Sequence, residues 1–294
     1  MPDHLATFTA SRRLLFDLAY RMLGRVVEAE DVVQDTWLRW QKQDLAAVTS
    51  PKAWLVATAT RLAIDRLRSA RHTREEYYGV WLPEPLVESS APSPVDSAAL
   101  ADSLTMAFMV LLERLSPDER AVFLLREVFD RDYAEIAGIV AKTESACRQI
   151  VSRARASLRG ATPPPAAPDE RAARIVRQFF TAVSTGQTGE LLALLQADAV
   201  LYSDGGGRVR SAGRPIRSAD RISRLFAGLR ARFPDYARAE FDFRTINGRP
   251  GALMLNAGRL LNVYSLDLDG DRIRTIYLVR NPDKLRHLVG SAHA

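Results

Sequence analysis

Leu115–Arg159, LSPDERAVFLLREVFDRDYAEIAGIVAKTESACRQIVSRARASLR, carries three helix signals in close succession. Ser116-Pro117-Asp118-Glu119 is a helix start: Ser116 takes the N-cap, Pro117 the first helical position, and Glu119 stands where a capping box closes. Asp132-Tyr133-Ala134-Glu135-Ile136-Ala137 opens a short second helix. After Ala141-Lys142, Thr143 caps a last helix that runs to Leu158. In it Cys147, Ile150, Val151, Ala154 and Leu158 recur at spacings of three and four and face a core. Ser145, Arg148, Gln149, Ser152 and Arg153 fall on the opposite side. Three short helices with this spacing read as a helix-turn-helix. Arg and Gln are suited to bidentate contacts with purine edges in a major groove, although any amphipathic helix also presents a polar, basic side to solvent.

The N-terminal block shows the same division into apolar and polar helix faces. In Glu28–Trp40, Val33, Trp37 and Trp40 share one helical face, while Asp31, Gln34, Asp35 and Leu38 share another. Acids and an amide around an apolar residue suit docking to a basic partner, and equally suit a solvated surface. Ser50-Pro51 begins a further helix, with Val56, Ala59, Ala63 and Leu67 inward and Arg61, Asp65 and Arg68 outward. Trp54 beside that basic face is either a base-stacking platform or a core residue.

Charge is unevenly placed. Net charge is +6, yet residues 1–160 hold 21 Lys+Arg against 22 Asp+Glu and the remainder 20 against 13. Bulk basicity therefore lies outside the helix-turn-helix. Two local patches matter more: residues 51–74 with six bases and one acid, and residues 142–159 with five bases against Glu144. Phosphate attraction acts over about a Debye length, so such patches suffice on a near-neutral body. A single cysteine, Cys147, excludes an internal disulfide and any cysteine-rich metal site. No run of about 18 apolar residues occurs and MPDHLATFTA lacks a signal-peptide core. A cytoplasmic, soluble chain with no membrane contact is expected.

Five segments are expected: helical residues 1–78, a linker at 79–99 with four prolines, helical residues 100–160, a stiff Pro-rich linker at 161–168, and a third domain at 169–294. The third opens with helices over Glu170–Val183 and Gly189–Leu195. Strand-like runs AVLYSD, RTINGRPGALMLN and IRTIYLVRN follow, separated by Gly-rich turns, so it reads as α+β.

Taken in order, the motifs resemble a known family. An acidic D-x-x-Q-D helix precedes a basic helix W-L-x₅-R-L-x-x-D-R-L-R. Next come a linker, then L-x-x-L-x₄-R leading into a helix-turn-helix that ends S-R-A-R-A-x-L-R. This order resembles the extracytoplasmic-function (group IV) RNA polymerase sigma factors. Trp81-Leu82-Pro83-Glu84-Pro85, Asp204-Gly205-Gly206-Gly207-Arg208 and Asn281-Pro282-Asp283-Lys284-Leu285 resemble the subgroup fused to a SnoaL-like C-terminal domain. The fold implied is two all-α domains, the second a helix-turn-helix, then an α+β SnoaL-like cone.

The resemblance implies roles. Asp31, Gln34, Asp35 and Leu38 would dock the β′ clamp helices of core RNA polymerase, with the β flap as a further contact. Lys52, Trp54, Arg61, Arg66, Arg68 and Arg71 would meet the −10 element, although many family members carry Asn where this chain has Arg61. Ser145, Arg148, Gln149, Ser152 and Arg153 would meet the −35 element of promoter DNA. Residues 81–85, 204–208 and 281–285 would join the linker to the third domain and regulate in cis; each also reads as a local turn. Arg208–Arg232, with eight arginines and one acid, would face DNA or the acidic face around Glu28–Asp35. Among the four histidines only His287 and His293 lie in the third domain, and Asp204 and Asp242 are its candidate acids. No catalytic residue, metal or cofactor is expected, and an unknown small ligand in the third domain is left open. The competing reading is a helix-turn-helix regulator fused to a ligand-sensing or catalytic SnoaL-like domain.

Overall fold

The computed structural model describes residues 3–75, 77–87, 103–158 and 169–289. Its backbone contacts divide into two compact units, Met1–Glu76 with Met109–Thr162, and Tyr77–Phe108 with Pro163–Ala294.

The first unit is helical. Asp3 caps α1 (His4–Leu23), and Gly24 ends it at φ 67° with its N–H on the Tyr20 carbonyl, a left-handed stop that glycine adopts without a Cβ penalty. Helices α2 (Val26–Trp40) and α3 (Pro51–Glu75) pack against it. Leu15, Leu18, Met22, Val33, Trp40 and Leu55 fill the space between, as do the small residues Ala59 and Ala63. After α4 (Met106–Leu112) comes α5 (Pro117–Glu127), whose Ser116–Glu119 capping box is complete. Asp132 caps α6 (Tyr133–Val140), and the Thr143 hydroxyl accepts from the Ala146 N–H at the start of α7 (Glu144–Leu158). The five apolar residues expected to face inward on α7 are all buried. Arg120 of α5, 2 % exposed, ties these layers together. It donates to the Met22 carbonyl (2.8 Å) at the end of α1 and to the Leu112 carbonyl (2.7 Å), and pairs with Glu113 (2.8 Å). A guanidinium thus satisfies helix-end carbonyls that have no partner within their own helix.

The second unit is a sheet closed by helices. Helices α8 (Asp169–Thr185) and α9 (Thr188–Leu194) lead into β1 (Leu195–Asp204) and the short β2 (Ile216–Arg217). Helices α10 (Ala219–Arg232) and α11 (Pro234–Ala237) then precede β3 (Glu240–Ile246), β4 (Arg249–Asn256), β5 (Arg259–Asp269) and β6 (Arg272–Val279). The last element is α12 (Pro282–Val289). Among the described residues the strand order is β2-β1-β6-β5-β4-β3, antiparallel except for the β1–β6 pair. Irregular register within the β1–β6, β4–β5 and β5–β6 pairs marks bulges, which bend a sheet. Phe179, Phe180, Phe226 and Tyr264 form the aromatic centre between the helices and the concave face.

Two details differ from the sequence reading. Leu195 begins β1 instead of ending the helix before it. The C-terminal part of the Arg-rich stretch is the regular helix α10, capped by Ser218, whose Ile222 and Phe226 are buried. Its arginines therefore lie on a helix that also contributes to the core.

Candidate functional site

The acidic face of α2 is solvent-facing. Val32, Val33 and Trp40 are buried, Asp31 and Gln34 are exposed, Asp35 is half-buried, and Leu38 keeps 44 % of its surface. Arg66 reaches across from α3 to both acids, 3.1 Å to Asp31 and 2.7 Å to Asp35. That arginine is thus part of the acidic face. Sequence spacing alone had grouped it with the bases of α3.

Along α3, Lys52 is exposed, and Trp54 is half-buried with its ring 5.3 Å from Trp40. Arg61 donates to the Gly138 (2.8 Å) and Ile139 (3.0 Å) carbonyls at the end of α6. Arg68 pairs with Asp118 at 2.7 Å, and Asp118 also holds Lys142 at 3.0 Å. The side chain of Arg71 lies outside the described residues.

On α7 the polar face is open: Ser145, Arg148, Gln149, Ser152 and Arg153 are all exposed. Arg148 pairs with Glu144 (2.7 Å) and lies over the Tyr133 ring, 4.9 Å from its centroid. Glu144 and Tyr133 thereby pre-orient the guanidinium at the exposed end of the helix.

The three segments singled out in the linker and third domain meet in one buried clasp. Asp204, the last residue of β1, has no exposed surface. Its carboxylate accepts from the Tyr77 hydroxyl (2.6 Å), the Leu82 N–H (2.8 Å) and Lys284 Nζ (2.7 Å). Lys284, 3 % exposed, also donates to the Leu82 carbonyl and sits over the rings of Trp81 (4.1 Å) and Tyr77 (4.9 Å). Asn281 donates to the Tyr77 hydroxyl (2.9 Å), and its own side-chain oxygen receives the Asp283 N–H at the head of α12. Leu82, Pro83, Glu84, Pro85 and Leu285 are buried, Pro282 is exposed, and Arg208 pairs with Asp283 at 3.1 Å. The glycines have a local cause. Gly206 (φ 57°) and Gly207 (φ 69°) are left-handed, and a Cβ on Gly206 would stand 2.8 Å from the Tyr77 hydroxyl. Asp204 therefore ends a strand as a buried hydrogen-bond hub, a role that its position before three glycines does not announce.

Residues 7–73 match the family described as Sigma-70 region 2, and residues 105–158 match Sigma-70, region 4. The chain is 34% identical over 292 residues to the ECF RNA polymerase sigma factor SigJ of Mycobacterium tuberculosis, covering 95% of this chain and 92% of that one. It belongs to the extracytoplasmic-function sigma factors. The probable ECF sigma factor SigI of the same organism is 28% identical over 282 residues, 95% of this chain and 94% of its own. The crystal structure of the M. tuberculosis SigJ protein superposes with a TM-score of 0.77 at 31% identity, covering 96% of this chain and 98% of that one. The C-terminal domain of this sigma factor is accordingly SnoaL-like.

Read as a sigma factor, the chain packs regions 2 and 4 against each other through Arg61, Arg68 and Arg120. The sequence reading missed three further contacts around the linker. Asn247, buried in the β3–β4 turn at φ 50°, accepts from the Leu86 N–H (3.1 Å), gives its own N–H to the Leu86 carbonyl (2.7 Å), and donates through its amide to the Leu104 carbonyl (3.1 Å). Val87 forms a bridge with Ile246 beside it. His287 of α12 hydrogen-bonds the Pro85 carbonyl at 2.9 Å. Asn247-Gly248 reads in sequence only as a hairpin turn. No local signal shows that its amide also grips a segment some 160 residues away.

Proposed function

We propose that this sigma factor binds core RNA polymerase through Asp31, Gln34, Asp35 and Leu38, and that α3 and α7 carry it to the −10 and −35 elements. Polymerase contacts fall to the β′ clamp helices and the β flap, and the chain works in the cytoplasm. Lys52, Trp54, Arg61, Arg68 and Arg71 serve the −10 element, with Arg66 instead holding the acids of the docking face. Ser145, Arg148, Gln149, Ser152 and Arg153 serve the −35 element. We assign the SnoaL-like domain a modulating role in cis and no catalytic one. Asp242, one of its candidate acids, is paired with Arg244, and His287 is committed to the linker.

The observation that carries the in-cis reading is the Asp204–Lys284 pair closed over Leu82. A linker between two promoter-reading regions has no need of a buried ion pair unless its position matters. The chemistry of the outer faces supports the rest. Leu38 is an exposed apolar anchor among acids, and α7 offers two guanidiniums and an amide at groove-reading spacing. Open-duplex capture costs a few kcal/mol of unstacking, which polymerase binding would have to cover. In the free chain Arg61 is held on α6, so −10 engagement would also require regions 2 and 4 to separate.

Core binding and promoter scanning test the assignment. Leu38→Glu should abolish binding to purified core polymerase while the fold persists. Arg148→Ala should relax base preference at the −35 element by roughly 1–3 kcal/mol. Wild-type core affinity in Leu38→Glu would remove the docking face from the account.

A further inference from the structure

A cavity of about 300 Å³ opens into the SnoaL-like domain between β1, β6, α10 and α11. Its wall is mainly apolar, with Leu201 and Leu278 from the strands, Leu225 and Leu229 from α10, and Phe233 at the rim, 40 % exposed. Two arginines, Arg280 and Arg210, stand at the polar end.

The charge balance there is one-sided. Every partner found for the Arg280 side chain among the described residues is neutral: the Asn262 side-chain oxygen (3.2 Å), the Arg210 carbonyl (2.5 Å) and the face of Tyr236 (5.9 Å). No acid pairs with Arg210 among the described residues, and no carboxylate lines the cavity. Asn262, 1 % exposed, is turned by its own contacts. Its amide N–H₂ faces the hydroxyls of Tyr236 and Tyr264 and the sulfur of Met254, which leaves its oxygen for Arg280. Burial, and then the neighbouring Tyr236, push the Tyr264 phenol well up, so that hydroxyl supplies no counter-charge. A half-buried guanidinium lining an apolar cavity that has no carboxylate in its wall favours a ligand that brings one.

We infer that this cavity binds a small organic carboxylate with an apolar body, its carboxylate on Arg280 and Arg210 and its tail among Leu201, Leu225, Leu229 and Leu278. Its size lies at the lower end of ordinary ligand pockets, which suits a medium-length acyl chain or a single substituted ring. The polar end is continuous with the clasp. The Arg280 N–H donates to the Asp204 carbonyl (2.8 Å), and Asn281 is the next residue. Arg210 and Ser211 belong to the loop that leaves Asp204-Gly205-Gly206-Gly207, and a Cβ on Gly205 would stand 2.6 Å from the Ser211 hydroxyl. A carboxylate drawn between these arginines would press on the loop and strand end that hold the linker. That consequence rests on the in-cis reading; the binding itself does not.

Isothermal titration of the full chain with decanoate, decanol and acetate separates the cases without any transcription readout. Decanoate should bind at least about tenfold more tightly than decanol, as a charge-assisted contact implies, and acetate should be weaker than either. Arg280→Gln should reduce decanoate affinity by a similar factor and leave decanol affinity near its starting value. Equal affinity for decanoate and decanol in the unaltered chain would overturn the proposal, as would acetate matching decanoate or no binding of decanoate at all. Because that ratio is read on the unaltered chain, a variant that fails to fold does not rescue it.

Discussion

At Lys284 a single ammonium connects three separate stretches of sequence. It is buried with Asp204, its carboxylate partner, and faces the rings of Tyr77 and Trp81. Desolvating two charges is costly, and hydrogen bonds with Tyr77 and Leu82 offset part of that cost. Lys284→Met should therefore destabilise the chain by about 3–5 kcal/mol, since it leaves Asp204 buried and unpaired. Adding Asp204→Asn should recover part of that loss. Calorimetry of the single and double variants checks it; equal midpoints for Lys284→Met and the unaltered chain would mean that the pair is worth nothing.

Helix starts and inward faces were readable element by element. Ser116–Glu119, Asp132 and Thr143 are local signals whose chemistry is complete within four residues, and the α7 stripe from Cys147 to Leu158 is buried as its spacing dictates. Contacts between distant elements were not. Arg66 sits in a run of bases, yet the α2–α3 crossing places it on Asp31 and Asp35. Asn247-Gly248 announces a turn and hides a grip on Leu86 and Leu104. Asp204 looks like part of a glycine turn because nothing near it in sequence reveals Lys284. The hairpin offers a clean separation of turn and grip. Asn247→Gly keeps the left-handed backbone but removes the amide, so the β3–β4 turn should persist while the Leu86 N–H loses hydrogen-exchange protection. Unchanged protection at Leu86 would show that the Asn247 side chain is not what holds that N–H.

For the molecule as a whole, the two promoter-reading regions of the first unit are held together by contacts that use the same side chains assigned to DNA. Arg61 caps the end of α6, and Arg68 and Lys142 share the Asp118 carboxylate. The two Asp118 ion pairs are partly exposed and worth up to about 1 kcal/mol each, weak enough for polymerase and DNA to displace. Asp118→Asn should thus raise promoter binding by the holoenzyme severalfold, with a smaller gain at high salt where the pair is already screened. A loss of binding would mean that Asp118 supports the complex instead of the closed form. The most direct test of the account is promoter-specific run-off transcription with purified core polymerase, comparing the full chain with Asp204→Asn/Lys284→Gln, which removes the clasp charges and keeps polar groups. Promoter-dependent initiation by the full chain is expected, with a severalfold change in its level when the clasp is neutralised. No initiation by either protein would contradict the functional assignment, and identical levels would contradict modulation through the clasp.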